Sequence, residues 1–163
     1  MAMMDKDPDG TQRVWGMINR YRTCMLVTRA GETMRARPMA VHLAPDENAV
    51  YFLTDERHYK DEEIAADPNV CLAFADDGGN DYVSLSGRAT VTNDRAKIKQ
   101  LWSLPAKAWW DSADDPNIRL LTVTPAAAEF WDGENKVVAS MKMAAAAMTG
   151  ERPDLGENKK VRM

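Results

Sequence analysis

Two stretches of the chain carry residue types that could hold an anion. In "RARPM", Arg35 and Arg37 stand two apart. On an extended strand both side chains therefore leave the same face. A guanidinium on a core-facing strand is costly unless paired, so this face must meet solvent, an acidic partner or a bound anion. Spacing alone favours the solvated face. The second stretch is "YFLTDERHYKDEEI", Tyr51 to Ile64. A strand-like run passes through a turn holding Arg57, His58, Tyr59 and Lys60 into a helix-like segment. Lys60 would open that helix, where free N–H groups and the helix dipole favour an anion. Asp61, Glu62 and Glu63 already bring negative charge to the same end, so a self-capped helix with a solvated lysine is an equal reading. Combined, the two stretches read as one pocket. A phosphate held by Arg37, Lys60 and neighbouring hydroxyls or imidazole would gain about 1.5–3 kcal/mol per charge-assisted bond. Two or three such bonds with ring packing would reach micromolar affinity, about −8 kcal/mol.

Other chemistries find little support. The histidines are His42 and His58 alone, and no HExxH, CxxC or GxSxG occurs, so metal hydrolysis and serine-nucleophile catalysis have no motif. Acidic clusters such as "DDGGND" and "DSADD" read as turns. The 163 residues fit one domain with an ordinary core. Their 45% hydrophobic and 28% charged composition is that of a globular protein. A net charge of −4 argues against a nucleic-acid partner, which needs clustered positive surface. No apolar run approaches a membrane span, and the polar opening "MAMMDKDPDG" does not read as a secretory leader. Cys24 and Cys71 lie in apolar stretches and read as reduced thiols, which places the expected location in the cytoplasm.

The elements that must position these residues follow from punctuation and periodicity. Residues 1–10 read as a disordered lead. "TQRVWGMINRY" has helical spacing, with Thr11 as candidate cap. "TCMLVT" is a strand, and "RAGET" is a turn with Gly31 at positive φ. "TMRARPMAVHLA" is one strand kept to an edge or bulge by Pro38. "AVYFLT" is a strand, "YKDEEIAADP" a short helix, "NVCLAFAD" a strand, and "DYVSLSGRATVT" a strand with a bend or bulge at Gly87. "NDRAKIKQLWS" is a helix capped by Asn93 or Asp94. "NIRLLTVTPAAAEFWDG" is a strand region broken at Pro125. The Met/Ala-rich segment near 141–148 reads as a helix packed on the sheet, followed by a polar tail. Hence the expected organisation is a lead (1–10), one domain (11–140), and a C-terminal helix with tail (141–163). The fold class is mainly β with inserted helices. Six strands with hairpin-length turns suggest an antiparallel sheet closed into a small barrel. The tryptophans, in "AWWD" and elsewhere, read first as core or interface residues.

The ordered set "RARPM … VYFLTDERHYKDEEIAADPNVCLAFAD … YVSLSGRATVTND … VTPAAAEFWDG" resembles the pyridoxamine 5′-phosphate oxidase-like, FMN-binding split-barrel proteins, in particular the general stress protein 26 type. The resemblance runs from about Arg13 to Gly133. It implies a six-stranded antiparallel split β-barrel, a homodimer, and an FMN near each end of the interface. It places Arg37, Pro38 and Met39 along the flavin ring, and Leu53 and Thr54 in contact with it. His58, Tyr59 and Lys60 fall at the phosphate, Tyr82 near the ring, and Trp131 reaches the other subunit's cofactor. Against the oxidase pattern, Tyr59 replaces an arginine, Tyr82 a glutamine and His42 a lysine, and "ENKVVASMK" stands where an Arg-Leu-His motif would follow. The resemblance thus implies a flavin-dependent oxidoreductase acting on an unidentified small molecule. A non-catalytic flavin-binding stress-response protein, and a split barrel using a deazaflavin or haem, are the alternatives. No catalytic residue and no metal ligand is assigned.

Overall fold

The computed structural model describes residues 6–58, 60–133 and 136–163. Helix α1 (Pro8–Ile18) precedes the hairpin β1 (Thr23–Ala30) and β2 (Thr33–Ala40). Then come β3 (His42–Ala44), β4 (Ala49–Asp55), α2 (Lys60–Ala66), β5 (Asn69–Asp76) and β6 (Asp81–Thr92). The chain ends with α3 (Arg95–Leu101), the long β7 (Ile118–Gly133), α4 (Lys136–Thr149) and β8 (Gly156–Arg162). The sheet is antiparallel, in the order β2-β1-β5-β6-β7-β4-β3, with β8 added along β7.

The two ends of that order are neighbours in sequence. β2 pairs with β1 up to Ala40, and β3 pairs with β4 from His42. Only Val41 lies between them, its N–H donating to the Arg22 carbonyl. The chain itself turns the corner, so the sheet curls into a barrel with a seam. The single strand expected from "TMRARPMAVHLA" is therefore two. With β8 they raise the expected six strands to eight. β4 has β7 and β3 as ladder partners, so the "RARPM" strand approaches it across the seam without a ladder.

Inside the barrel, Leu26, Phe52, Leu72, Phe74, Leu85, Leu121 and Phe130 are fully buried. Helix α1 closes one end through Val14, Trp15 and Ile18. A second core lies on the other face of β4, where Tyr51 meets Ile98, Trp110 and Ile118. The remaining outer face of the sheet is open. One cross-strand row on it reads Pro38, Met25, Ala73, Ser84, Glu129 and Lys160. Along this row charge appears only at β7 and β8, and the rest is uncharged.

Several local expectations meet a physical correction. The first helix starts at Pro8, not Thr11. Asp7 caps it by accepting from Gly10 N–H at 2.8 Å, with proline in the first turn. The lead therefore ends earlier than residue 10. Asp94, not Asn93, caps α3, accepting from Lys97 N–H. Gly31 has φ 63°, as its turn demands. β7 is not broken at Pro125. It runs through, because Pro125 falls after the β4 ladder ends at Val123 and before the β8 ladder begins at Ala127. No strand on that side needs its missing N–H. Opposite it, the β6–β7 register shifts between Ser86 and Gly87, leaving Ala126 as the extra residue of a bulge. The polar tail is largely strand: Asp7 pairs with Lys159 at 2.7 Å, and Val161 and Met163 are buried. α4 begins at Lys136, and of its described side chains only Ala139 is buried, while Val137, Met141 and Met148 are exposed. It packs far less closely than its apolar composition suggested. "AWWD" divides: Trp110 is buried and Trp109 is exposed.

Candidate functional site

The arginines of β2 face inward. Directly paired residues on neighbouring strands share a face, and Arg37 and Arg35 pair with Leu26 and Thr28, both buried inside. What makes this affordable is Glu63, in the first turn of α2. Its Oε1 accepts from Arg35 Nη1 at 3.0 Å, and its Oε2 accepts from Arg37 Nη2 at 2.7 Å and from the Thr28 hydroxyl at 2.6 Å. Arg37 Nη2 also donates to Thr28 Oγ1 at 2.8 Å. Helix α2 is placed by Ile64, buried beside Glu63 in the main core. Burial works against ionisation of Glu63. Hydrogen bonds from Thr28 and Arg37, with the charges of Arg37 and Arg35, outweigh it and hold the carboxyl below its ordinary value. Two cations against one anion leave this inward cluster with net positive charge.

Two inward-facing polar atoms, one in this network and one on β4, are buried with no hydrogen-bond partner among the described residues. They are Arg37 Nη1 and Thr54 Oγ1. Buried polar groups are nearly always paired, so each is a donor that the described residues leave open. Thr54 lies on the same inward face of β4 as Val50 and Phe52.

The turn after β4 is braced from within. Asp55, buried, accepts from the Arg57 side chain and backbone N–H and from the Trp110 indole at 3.2 Å. The Arg57 contact is the main reason its carboxyl lies far below the usual carboxylate range. Arg119 pairs with Glu56. Arg57 is thus committed to the fold. His58 is exposed at the turn, Tyr59 lies outside the described residues, and Lys60 opens α2, with its side chain also outside them. α2 spans seven residues, and the acids of its first turn stand beside any anion there.

The expected residues therefore form two groups. Arg37, Met39 and Thr54 point inward, while Leu53 packs against the second core and Pro38 points outward. Tyr82 and Trp131 are direct cross-strand partners on the outer face, at the other end of the β6–β7 ladder. Thr54 pairs with Arg119 on β7. From Arg119 to Trp131 is twelve residues of strand, about 40 Å at 3.3 Å each. One chain does not bring the two groups together. His42, half-buried on β3 opposite Tyr51, has its pKa lowered by burial. Sequence reasoning missed Thr28 and Glu63. The available signal was that two inward arginines require a buried acid, and Glu63 directly precedes the apolar Ile64.

A cleft of about 500 Å³ runs beside α1, bordered by Gly16, Met17, and the ion pairs Arg13–Asp132 and Arg20–Asp81. No group of three or more metal-ligating side chains occurs among the described residues, and none of their helices is long and apolar enough to cross a membrane.

Residues 9–154 match the family model described as pyridoxamine 5′-phosphate oxidase like. General stress protein 26 of Bacillus subtilis is 26% identical over 140 residues, covering 83% of this chain and 97% of that protein. A structure from Jannaschia sp. CCS1, assigned to general stress protein 26, superposes with TM-score 0.78 at 31% identity, covering 96% of this chain and all of the other. The general stress FMN/FAD binding protein of Xanthomonas citri superposes with TM-score 0.67 at 25% identity, covering 80% and 92%. A mainly β antiparallel barrel with this closure, and a match across most of the chain, lead to one conclusion: the chain belongs to the pyridoxamine 5′-phosphate oxidase-like family, of general stress protein 26 type.

Proposed function

We propose that the protein binds FMN as a homodimer and acts as a flavin-dependent oxidoreductase on a small molecule. The observation that carries this reading is the pair of buried, unpartnered donors, Arg37 Nη1 and Thr54 Oγ1. They belong to separate strands, and a flavin's carbonyl and phosphate oxygens are acceptors of the kind they need. The net positive charge of the Arg35–Arg37–Glu63 cluster suits an anion. It would also stabilise the negative charge a flavin gains on reduction. A bound flavin supplies hydride or electron transfer. The chain's own residues bind it, orient it and set its charge environment.

The dimer is supported by two features. Tyr82 and Trp131 lie too far from Thr54 on one chain to share a flavin with it, and a second copy would bring them there. The open sheet face around Met25, Ala73 and Ser84 is uncharged at its centre with charge at its β8 side, the anatomy of an interface core and rim.

Titration of the purified protein with FMN, FAD and riboflavin, read by flavin fluorescence, tests the cofactor. The expected result is micromolar FMN binding with riboflavin at least tenfold weaker. Equal affinity for riboflavin would remove the phosphate from the reading, and no binding of any flavin would end it. Anaerobic bleaching of the bound flavin by NADH or NADPH, then reoxidation by an added acceptor, separates an enzyme from a flavin carrier.

A further inference from the structure

From the network around Arg37 we infer that Glu63 is a positioning residue for the flavin site, one that fixes the Arg37 guanidinium and masks most of its charge. This inference rests on the flavin reading above. The three charged groups are unequally buried. The Glu63 side chain is 9% exposed and that of Arg37 18%, whereas that of Arg35 is 55% exposed. Glu63 is also closer to Arg37 (2.7 Å) than to Arg35 (3.0 Å). Screening by water weakens the outer pair more than the inner one. The residual positive charge therefore resides chiefly on the solvated Arg35, and Arg37 is close to neutralised.

Thr28 completes the fixture. Its hydroxyl donates to Glu63 and accepts from Arg37 Nη2, closing a three-membered ring of hydrogen bonds. Arg37 is held through one nitrogen, and Nη1 is left as the buried donor. Glu63 thus presents a hydrogen-bonding edge of an arginine while withholding the full strength of its charge. A flavin beside a bare, buried arginine would be held hardest in its reduced, anionic form. With Glu63 present, the preference for the reduced form is moderated and the flavin is easier to reoxidise.

The test is the two-electron potential of the bound flavin, with oxidised-FMN affinity measured alongside. Glu63→Gln keeps the shape and removes the charge. It should raise the preference for reduced over oxidised flavin at least tenfold, a positive shift of about 30 mV or more for a two-electron couple. The double variant Glu63→Gln with Arg35→Gln keeps the wild-type net charge and avoids two unscreened neighbouring cations, so it remains informative if the single variant does not fold. It moves the surviving positive charge from the solvated position to the buried one, and its potential should also rise by at least that amount. A role in net charge alone, or in packing alone, predicts no such shift in the double variant. If the unaltered protein binds flavin but the double variant's potential stays at the wild-type value, the assignment of Glu63 fails while the flavin reading stands. If the unaltered protein binds no flavin, both fail together.

Discussion

Asp55 is one carboxylate serving four N–H donors, and it shows how a turn rich in cations can still be structural. It accepts from Arg57 three times, once from the backbone N–H and twice from the guanidinium, and from the buried Trp110 indole, tying the end of β4 to the loop before β7. Replacement by alanine strands that indole N–H inside the second core, at a cost of about 1–3 kcal/mol, measurable by urea unfolding. The pH dependence has a definite sign. The folded-state carboxyl lies below its unfolded value, chiefly through Arg57. Its contribution is therefore complete above about pH 4, the ordinary aspartate value, and declines as the pH falls further towards the folded value. Between pH 4 and pH 2 the wild type should lose stability faster than Asp55→Ala. Parallel acid limbs would show that Asp55 is not the titrating group. At this scale the sequence displayed the right cations but not their partners. Arg57 was visible as a charge near an anion site, yet whether it meets Asp55 two residues away or a ligand depends on the path of the turn.

Bulge, corner and cap are the devices that shape the elements. At Gly87 a Cβ would stand 2.5 Å from the Thr124 carbonyl oxygen and 3.0 Å from its carbon, both backbone atoms of the paired strand. Gly87→Ala must push the β6–β7 ladder apart where the register shifts. Overpacking of this kind costs about 1–3 kcal/mol. A lowered urea midpoint with unchanged slope is the expected readout, and an unchanged midpoint would show that the bulge has slack. Signals of this class are legible when they are local. Gly31, Asp94 and Gly87 could be read because turn, cap and bulge preferences act within a few residues. The β2–β3 corner could not, since alternation continues straight through Val41 and only the identity of the next strand's partner separates the two halves. Pro125 misled for the same reason: a proline breaks a strand only where a neighbour needs its N–H, and here the neighbours begin and end around it.

Across the whole molecule, the outer sheet face and the two separated halves of the candidate site make one prediction. Ala73 sits half-buried at the centre of the uncharged row. Ala73→Glu should halve the mass seen in sedimentation equilibrium, leave the circular dichroism spectrum intact and weaken FMN at least tenfold. An undiminished mass would place the interface elsewhere. The amino-acid sequence by itself determined most of the strands and turns, the mainly β class and the family, because local propensity and an ordered set of motifs survive without knowledge of contacts. Tertiary structure decided the rest: which strand pairs with which, that the arginines face inward, that Glu63 answers them, and that Tyr82 and Trp131 pair at the far end of β7 from Thr54. Those facts depend on the closure of the sheet through Val41. Closure is a long-range property, set by the burial of one common core, and no short window of residues encodes it.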